Sequence, residues 1–143
     1  MPTVNNFNHF GEEIEKLMLL RTSPLAVKML EKESDIPEGV IRPKGNQGYH
    51  LAQCQAFSIS RRKGQSIAML QDDNWCWGPL IAYGLVNPDI AEKFPELKDA
   101  VKQIPLIEHG RYIGIVSAPL KTANYLPDVV LIYSNNAQLN NIL

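Results

Sequence analysis

Apolar residues along this chain recur in two rhythms, and the switches between them outline its elements. In residues 8–20, Phe10, Ile14, Leu17, Met18 and Leu20 fall at helical spacing. Glu12, Glu13 and Glu15 sit in the early turns of that stretch, where a helix N-terminus favours negative charge. The spacing predicts an amphipathic first helix, broken by Arg21, Thr22, Ser23 and Pro24. Leu25-Ala26-Val27-Lys28-Met29-Leu30 follows as an apolar run of strand length. Residues 33–48 hold Pro37, Gly39, Pro43, Gly45 and Gly48, a density of breakers that predicts a surface loop. Long loops of this kind often carry function.

The helical rhythm returns over residues 49–62, with Leu51, Ala52, Ala56, Phe57 and Ile59 on the apolar face and Gly64 in the place of a C-terminal cap. Residues 65–70 end in four consecutive apolar side chains, as in a strand covered on both faces. Asp72, Asp73 and Asn74 offer capping side chains before Trp75-Cys76-Trp77-Gly78-Pro79, and residues 80–85 read as helix, weakened by Gly84. Asn87 and Pro88 open a further helix that runs to Phe94, is interrupted by Pro95 and continues over 96–103. Residues 112–118 and 128–133 are two more strands, and Val129-Val130-Leu131-Ile132 is the strongest strand signal in the chain. Asn135 and Asn136 cap a short terminal helix. The alternation predicts an α/β or α+β fold with a single-layer mixed sheet of about four strands and helices packed on it, in an order the pattern does not determine.

Composition adds bounds rather than chemistry. At 143 residues the chain suits one domain, taken here as 1–143, and 45% apolar with 20% charged residues is ordinary for a globular protein. The net charge of −1 comes from intermixed acids and bases, which speaks against nucleic acid and against an anionic membrane surface. The densest basic spot, Arg61-Arg62-Lys63, reads first as a helix end where cations are favoured, and second as a phosphate contact. Two cysteines do not make a secreted disulfide scaffold, and no leader or long apolar span is evident, so the expected setting is the cytoplasm.

Those two cysteines are the candidates for chemistry. Cys54 falls four residues after His50 on the predicted helix, which would put thiol and imidazole on one side as a metal pair requires. The plainer reading makes Cys54 a small buried apolar residue and His50 a solvent-facing helix start. Cys76 precedes Gly78 and Pro79 at a helix start, where backbone N–H groups and the dipole favour a thiolate. Its plainer reading is a cysteine wedged between Trp75 and Trp77 to fill a turn, and Gly78 would let a ligand or backbone come close. Two cysteines and one histidine fall short of a tetrahedral zinc site, and Cys-x-x-Cys spacing is absent. His109, beside Gly110, is a further ligand or an acid–base group unless it is merely exposed, and His9 says less. Lys28, alone in an apolar strand, either meets an anionic ligand or reaches solvent at a strand edge. The Gly-x-Gly-x-x-Gly, Walker, Gly-x-Ser-x-Gly and His-Glu-x-x-His motifs are all missing.

Read as an ordered set, Thr22-Ser23-Pro24-Leu25-Ala26-Val27-Lys28, Cys54-Gln55-Ala56, Arg62-Lys63-Gly64, Cys76-Trp77-Gly78-Pro79 with Gly84-Leu85, and Pro127-Asp128-Val129-Val130 resemble the prokaryotic family DUF169. The resemblance covers most of the chain and implies a family without an established activity. It also implies a longer protein with a further segment that can hold more cysteines, so this chain is expected to be a fragment or a shortened member, incomplete at its C-terminus. Cys54 and Cys76 match the family's cysteine positions.

The leading expectation is a thiolate centre for a metal ion or iron–sulfur cluster, with Cys54, Cys76 and His50 as ligands and the missing ones supplied by an absent segment or a partner subunit. Cys76, Trp77, Gly78 and Lys28 are the candidate cofactor contacts. Two other readings stay open. One is a module without catalysis that holds a small anionic molecule between the Pro/Gly loop and the 75–79 turn, and the other is a thiol redox protein with a reversible Cys54–Cys76 disulfide. Whether the chain is an enzyme or a homo-oligomer is not decided by its residues.

Overall fold

The computed structural model describes residues 1–141. In chain order its elements are α1 (Val4–Leu17), β1 (Leu25–Leu30), α2 (Pro43–Gln47), α3 (Gln53–Lys63), β2 (Ile67–Leu70), α4 (Trp77–Ala82), α5 (Pro95–Val101), β3 (Gly114–Pro119), β4 (Val129–Leu131) and α6 (Asn136–Leu139). Four strands with helices packed on them bear out the α/β reading. The strand order is β2-β3-β1-β4, and every pairing between these strands is antiparallel. The sheet is therefore antiparallel rather than mixed, and parallel pairing is confined to two isolated bridges outside it, Ile41 with Ile67 and Leu51 with Asn74.

Alternation along the strands builds a core on each face of the sheet. Ala26 and Leu30, Ala68 and Leu70, and Val116 and Ala118 point to one side, where Leu120, Ala123, Tyr125 and Phe7 of α1 cover them. Leu25, Val27, Ile67, Met69 and Ile115 point to the other, beneath Ala56 and Phe57 of α3. Ser60 of α3 is buried and meets Ser117 of β3, oxygen to oxygen, at 3.0 Å. Tyr125 closes the first core by donating its hydroxyl to the Ala26 carbonyl at 2.9 Å.

Helix α1 begins earlier than its apolar spacing predicts. Thr3 caps it, its hydroxyl accepting from the Asn6 N–H at 3.3 Å while Asn6 Oδ1 accepts from the Thr3 N–H at 2.8 Å. The helix ends at Leu17 because Leu19 turns out with a φ of 52°, a left-handed conformation unusual for leucine. Its approach to residues 120–122 depends on Gly11, where a Cβ would stand 2.7 Å from the Lys121 nitrogen.

The region read as a plain loop holds more order than its prolines and glycines suggest. Pro43 starts α2 at the first-turn position, Gly48 ends it with a φ of 74°, and Ile41 pairs with β2. Asp73, fully buried, pins this region down. Its carboxylate accepts from Arg42 Nε at 2.5 Å, from the Lys44 N–H at 2.8 Å and from the Leu70 N–H at 2.9 Å. Among the described residues no helix is long and apolar enough to cross a membrane.

Candidate functional site

A hollow of about 1020 Å³ opens between the ends of β2 and β3 and the α4 region. Leu80, Leu85, Val86 and Ile90 supply an apolar floor continuous with a third, separate core cluster around α4. Trp75, Trp77 and Tyr112 stand along its walls. The two tryptophans are 60% and 37% exposed, and they are the chain's whole complement of that residue. Large aromatic surface left open to water in one hollow is uncommon on a monomer and marks binding surfaces.

Polar groups are placed among these walls by local geometry. Asn74 is buried, and its Oδ1 accepts from the Cys76 N–H at 2.9 Å, which sets the 74–77 turn. The Nδ2 of the same side chain has no partner among the described residues, a cost of about 1–3 kcal/mol unless a partner arrives. His109 is held from behind: its Nδ1 lies 3.0 Å from the Gly84 carbonyl. A carbonyl only accepts, so Nδ1 carries the proton and Nε2 is left as an acceptor in the neutral ring. Gly84 also accepts from the Gly110 N–H at 3.1 Å and adopts a φ of 67°, with the Ile107 and Glu108 carbonyls 2.6 Å from where a Cβ would stand. The glycine that weakened the helix prediction is therefore the seat of the 107–110 loop.

The charge around the hollow is acidic. Glu31, Glu33 and Asp72 line it against a single lysine, Lys32. Asp72 pairs with Arg42 at 3.1 Å, whereas Glu31 and Glu33 have no ion pair among the described residues. This runs against an anion at the 75–79 turn. Of the Pro/Gly loop, only its first residue, Glu33, reaches the hollow.

The predicted metal residues are not assembled as the helical spacing implied. Helix α3 starts at Gln53, because Leu51 is drawn into a bridge: its N–H donates to the Asp73 carbonyl at 3.0 Å and its carbonyl accepts from the Trp75 N–H at 3.2 Å. His50 therefore precedes the helix instead of sitting one turn below Cys54, and it lines the hollow. Cys54 is exposed on the first turn of α3, Cys76 is half-buried as the N-cap of α4, and both are free thiols. Among the described residues no group of three or more His, Cys, Asp or Glu is arranged to hold a metal ion. The bridge does lay the two cysteine-bearing segments side by side, with a helix leaving from each.

Of the cofactor candidates, Trp77 is on the wall, and Cys76 adjoins it. At Gly78 an added Cβ would meet open space, so no close approach requires the glycine. Lys28 lies in the central strand β1, away from the hollow, 3.9 Å from Asp128. Asp128 also accepts from the Met29 N–H at 2.8 Å, so the pair fastens the edge strand β4 to β1. Asn74 and Tyr112 were missed in the sequence, since an asparagine beside two aspartates reads as a helix cap and a tyrosine before a strand as part of it.

The fold and hollow define an α/β protein with a four-stranded antiparallel sheet and an aromatic cleft beside its β2 and β3 ends. Residues 13–143 match the model of the DUF169 family, described as Uncharacterised ArCR, and the chain belongs to that family. No curated protein and no solved structure matches it.

Proposed function

We infer that the tryptophan-lined cleft binds a small planar organic molecule, neutral or cationic, and that the chain is a ligand-binding module. The observation that carries this reading is the convergence of both tryptophans, exposed, on one apolar hollow rimmed by Glu31, Glu33 and Asp72. Flat aromatic walls favour a planar or cationic partner, and the rim disfavours a carboxylate or phosphate. The unpaired Asn74 Nδ2 adds a donor suited to a carbonyl group on such a molecule.

Benzamide, benzamidine and benzoate share one ring and differ in charge, and tryptophan emission reports only from this cleft. Titration is expected to quench emission with benzamide and benzamidine and not with benzoate. Trp77→Ala should weaken benzamidine binding about fivefold. Equal binding of benzoate, or no response to any of the three, overturns the reading.

A second reading, two thiols acting together on a metal or in redox exchange, is supported by the Leu51–Asn74 bridge between their segments. A metal would need ligands beyond those the described residues assemble. Metal analysis of anaerobically purified protein beside a Cys76→Ser variant tests the first form, and mass spectrometry for a Cys54–Cys76 disulfide tests the second.

A further inference from the structure

A second hollow, about 540 Å³, lies where the turn after α1, the last turn of α3 and the chain between β4 and α6 come together. Arg21, Thr22, Arg61, Arg62, Tyr133 and Gln138 line it. None of the six is acidic, and among the described residues no ion pair involves any of the three arginines. Their guanidiniums stay charged at every physiological pH and repel one another until an anion joins them.

Arg61 is the oriented member. Its guanidinium carbon sits 4.3 Å from the centroid of the Tyr133 ring, and a terminal nitrogen donates to Thr22 Oγ1 at 3.2 Å. Its Nε is buried without a partner among the described residues. Stacking occupies the face of the guanidinium and leaves the edge for in-plane hydrogen bonds, the geometry that matches phosphate and carboxylate oxygens. The surrounding walls are fixed as well. The Ser23 N–H donates to the Arg61 carbonyl at 3.2 Å, and Gln138 Nε2 donates to the Leu19 carbonyl at 2.7 Å.

The C-terminal end of α3 favours cations by itself, which accounts for the run Arg61-Arg62-Lys63. It does not account for Arg21, which arrives from a separate segment, nor for a guanidinium held half-buried with an unsatisfied N–H. We propose that this hollow is a binding site for a phosphate-bearing small molecule, with Arg61 as the oriented fork and Arg21 and Arg62 as flanking charges. Three cations confined to one hollow, rather than strung along a groove, suit a compact polyanion.

The test is calorimetric titration of the full chain at constant ionic strength with pyrophosphate, acetate and a single-stranded oligonucleotide. Pyrophosphate is expected to bind and acetate to bind at least about tenfold more weakly. Tryptophan emission should stay unchanged throughout, because both tryptophans line the other cleft. Arg61→Lys keeps the charge but not the fork, and should weaken pyrophosphate about tenfold. Arg21→Gln, at an exposed position that the fold does not need, should weaken it about threefold or more, and Lys63→Gln, outside the hollow, less than about twofold. The proposal is overturned if pyrophosphate shows no binding, if Lys63→Gln weakens it as much as the arginine variants do, or if acetate matches it. An oligonucleotide that binds about tenfold tighter than pyrophosphate would overturn the small-molecule assignment.

Discussion

The tryptophan cleft and the arginine hollow differ in almost every physical respect. The larger is walled by tryptophans over an aliphatic floor and rimmed by carboxylates, whereas the smaller has three arginines and, among the described residues, no acid. They also differ in how they are made. Most of the tryptophan cleft comes from residues 70–90, a nearly continuous stretch, closed by the 109–113 segment. The arginine hollow joins residues far apart in sequence, Arg21, Arg61 and Tyr133, through a few hydrogen bonds. A net charge of −1 thus conceals two separate fields of opposite sign, and a charged ligand attracted by one is repelled by the other.

Substitutions that damage one hollow and spare the other are the sharpest test of this contrast. The largest effect is expected from Asp73→Ala. It removes a buried carboxylate with three donors and leaves Arg42 without its inner partner, a loss of about 3–5 kcal/mol in urea denaturation. Below the unfolding transition the variant should lose benzamide quenching. Gly84→Ala comes next, since it forces a side chain into a φ of 67° and to within 2.6 Å of two carbonyls; about 2 kcal/mol or more is expected. Displacing the 107–110 loop should abolish benzamidine binding while leaving the pyrophosphate titration intact. If Gly84→Ala weakens both ligands equally, the hollows are not independent.

The smallest effect is one that should not discriminate between them. Burial raises the hydroxyl pKa of Tyr125, and burial together with the nearby Tyr133 raises that of Tyr83. A raised pKa means that the unfolded chain gives up its proton first, so the stability from both residues is complete below about pH 10 and falls as pH rises beyond it. Thermal melts at successive pH values should show that decline, and Tyr125→Phe should flatten it. The same variant should lose about 1 kcal/mol at neutral pH through the missing bond to the Ala26 carbonyl.

Much of the fold is legible where a local rule decides. Gly64 ends α3 with a φ of 73°, and Asn87 caps the turn that Pro88 opens, its Oδ1 accepting from the Asp89 N–H at 2.9 Å. The strands β1 and β2 stand out because both of their faces are buried. The reading fails where a distant partner decides. The start of α3 moves to Gln53 because the 73–75 segment captures Leu51. Val129–Leu131, the strongest strand signal, forms a short, half-exposed edge, since pairing with β1 alone sets its length. The sites follow the same division. Trp75 and Trp77 were visible as a motif and Arg61 and Arg62 as a charge run, but nothing local to Arg21 points to residues on α3.

The Leu51–Asn74 bridge has a mechanical meaning. Two backbone hydrogen bonds, one donated and one accepted by the same leucine, hold the roots of α3 and α4 together. That one residue ties the turn that carries Trp75 and Cys76 to the helix start that carries Cys54. Leu51, itself buried and without reactive chemistry, joins the wall that carries Trp75 to both thiol-bearing segments through its backbone alone.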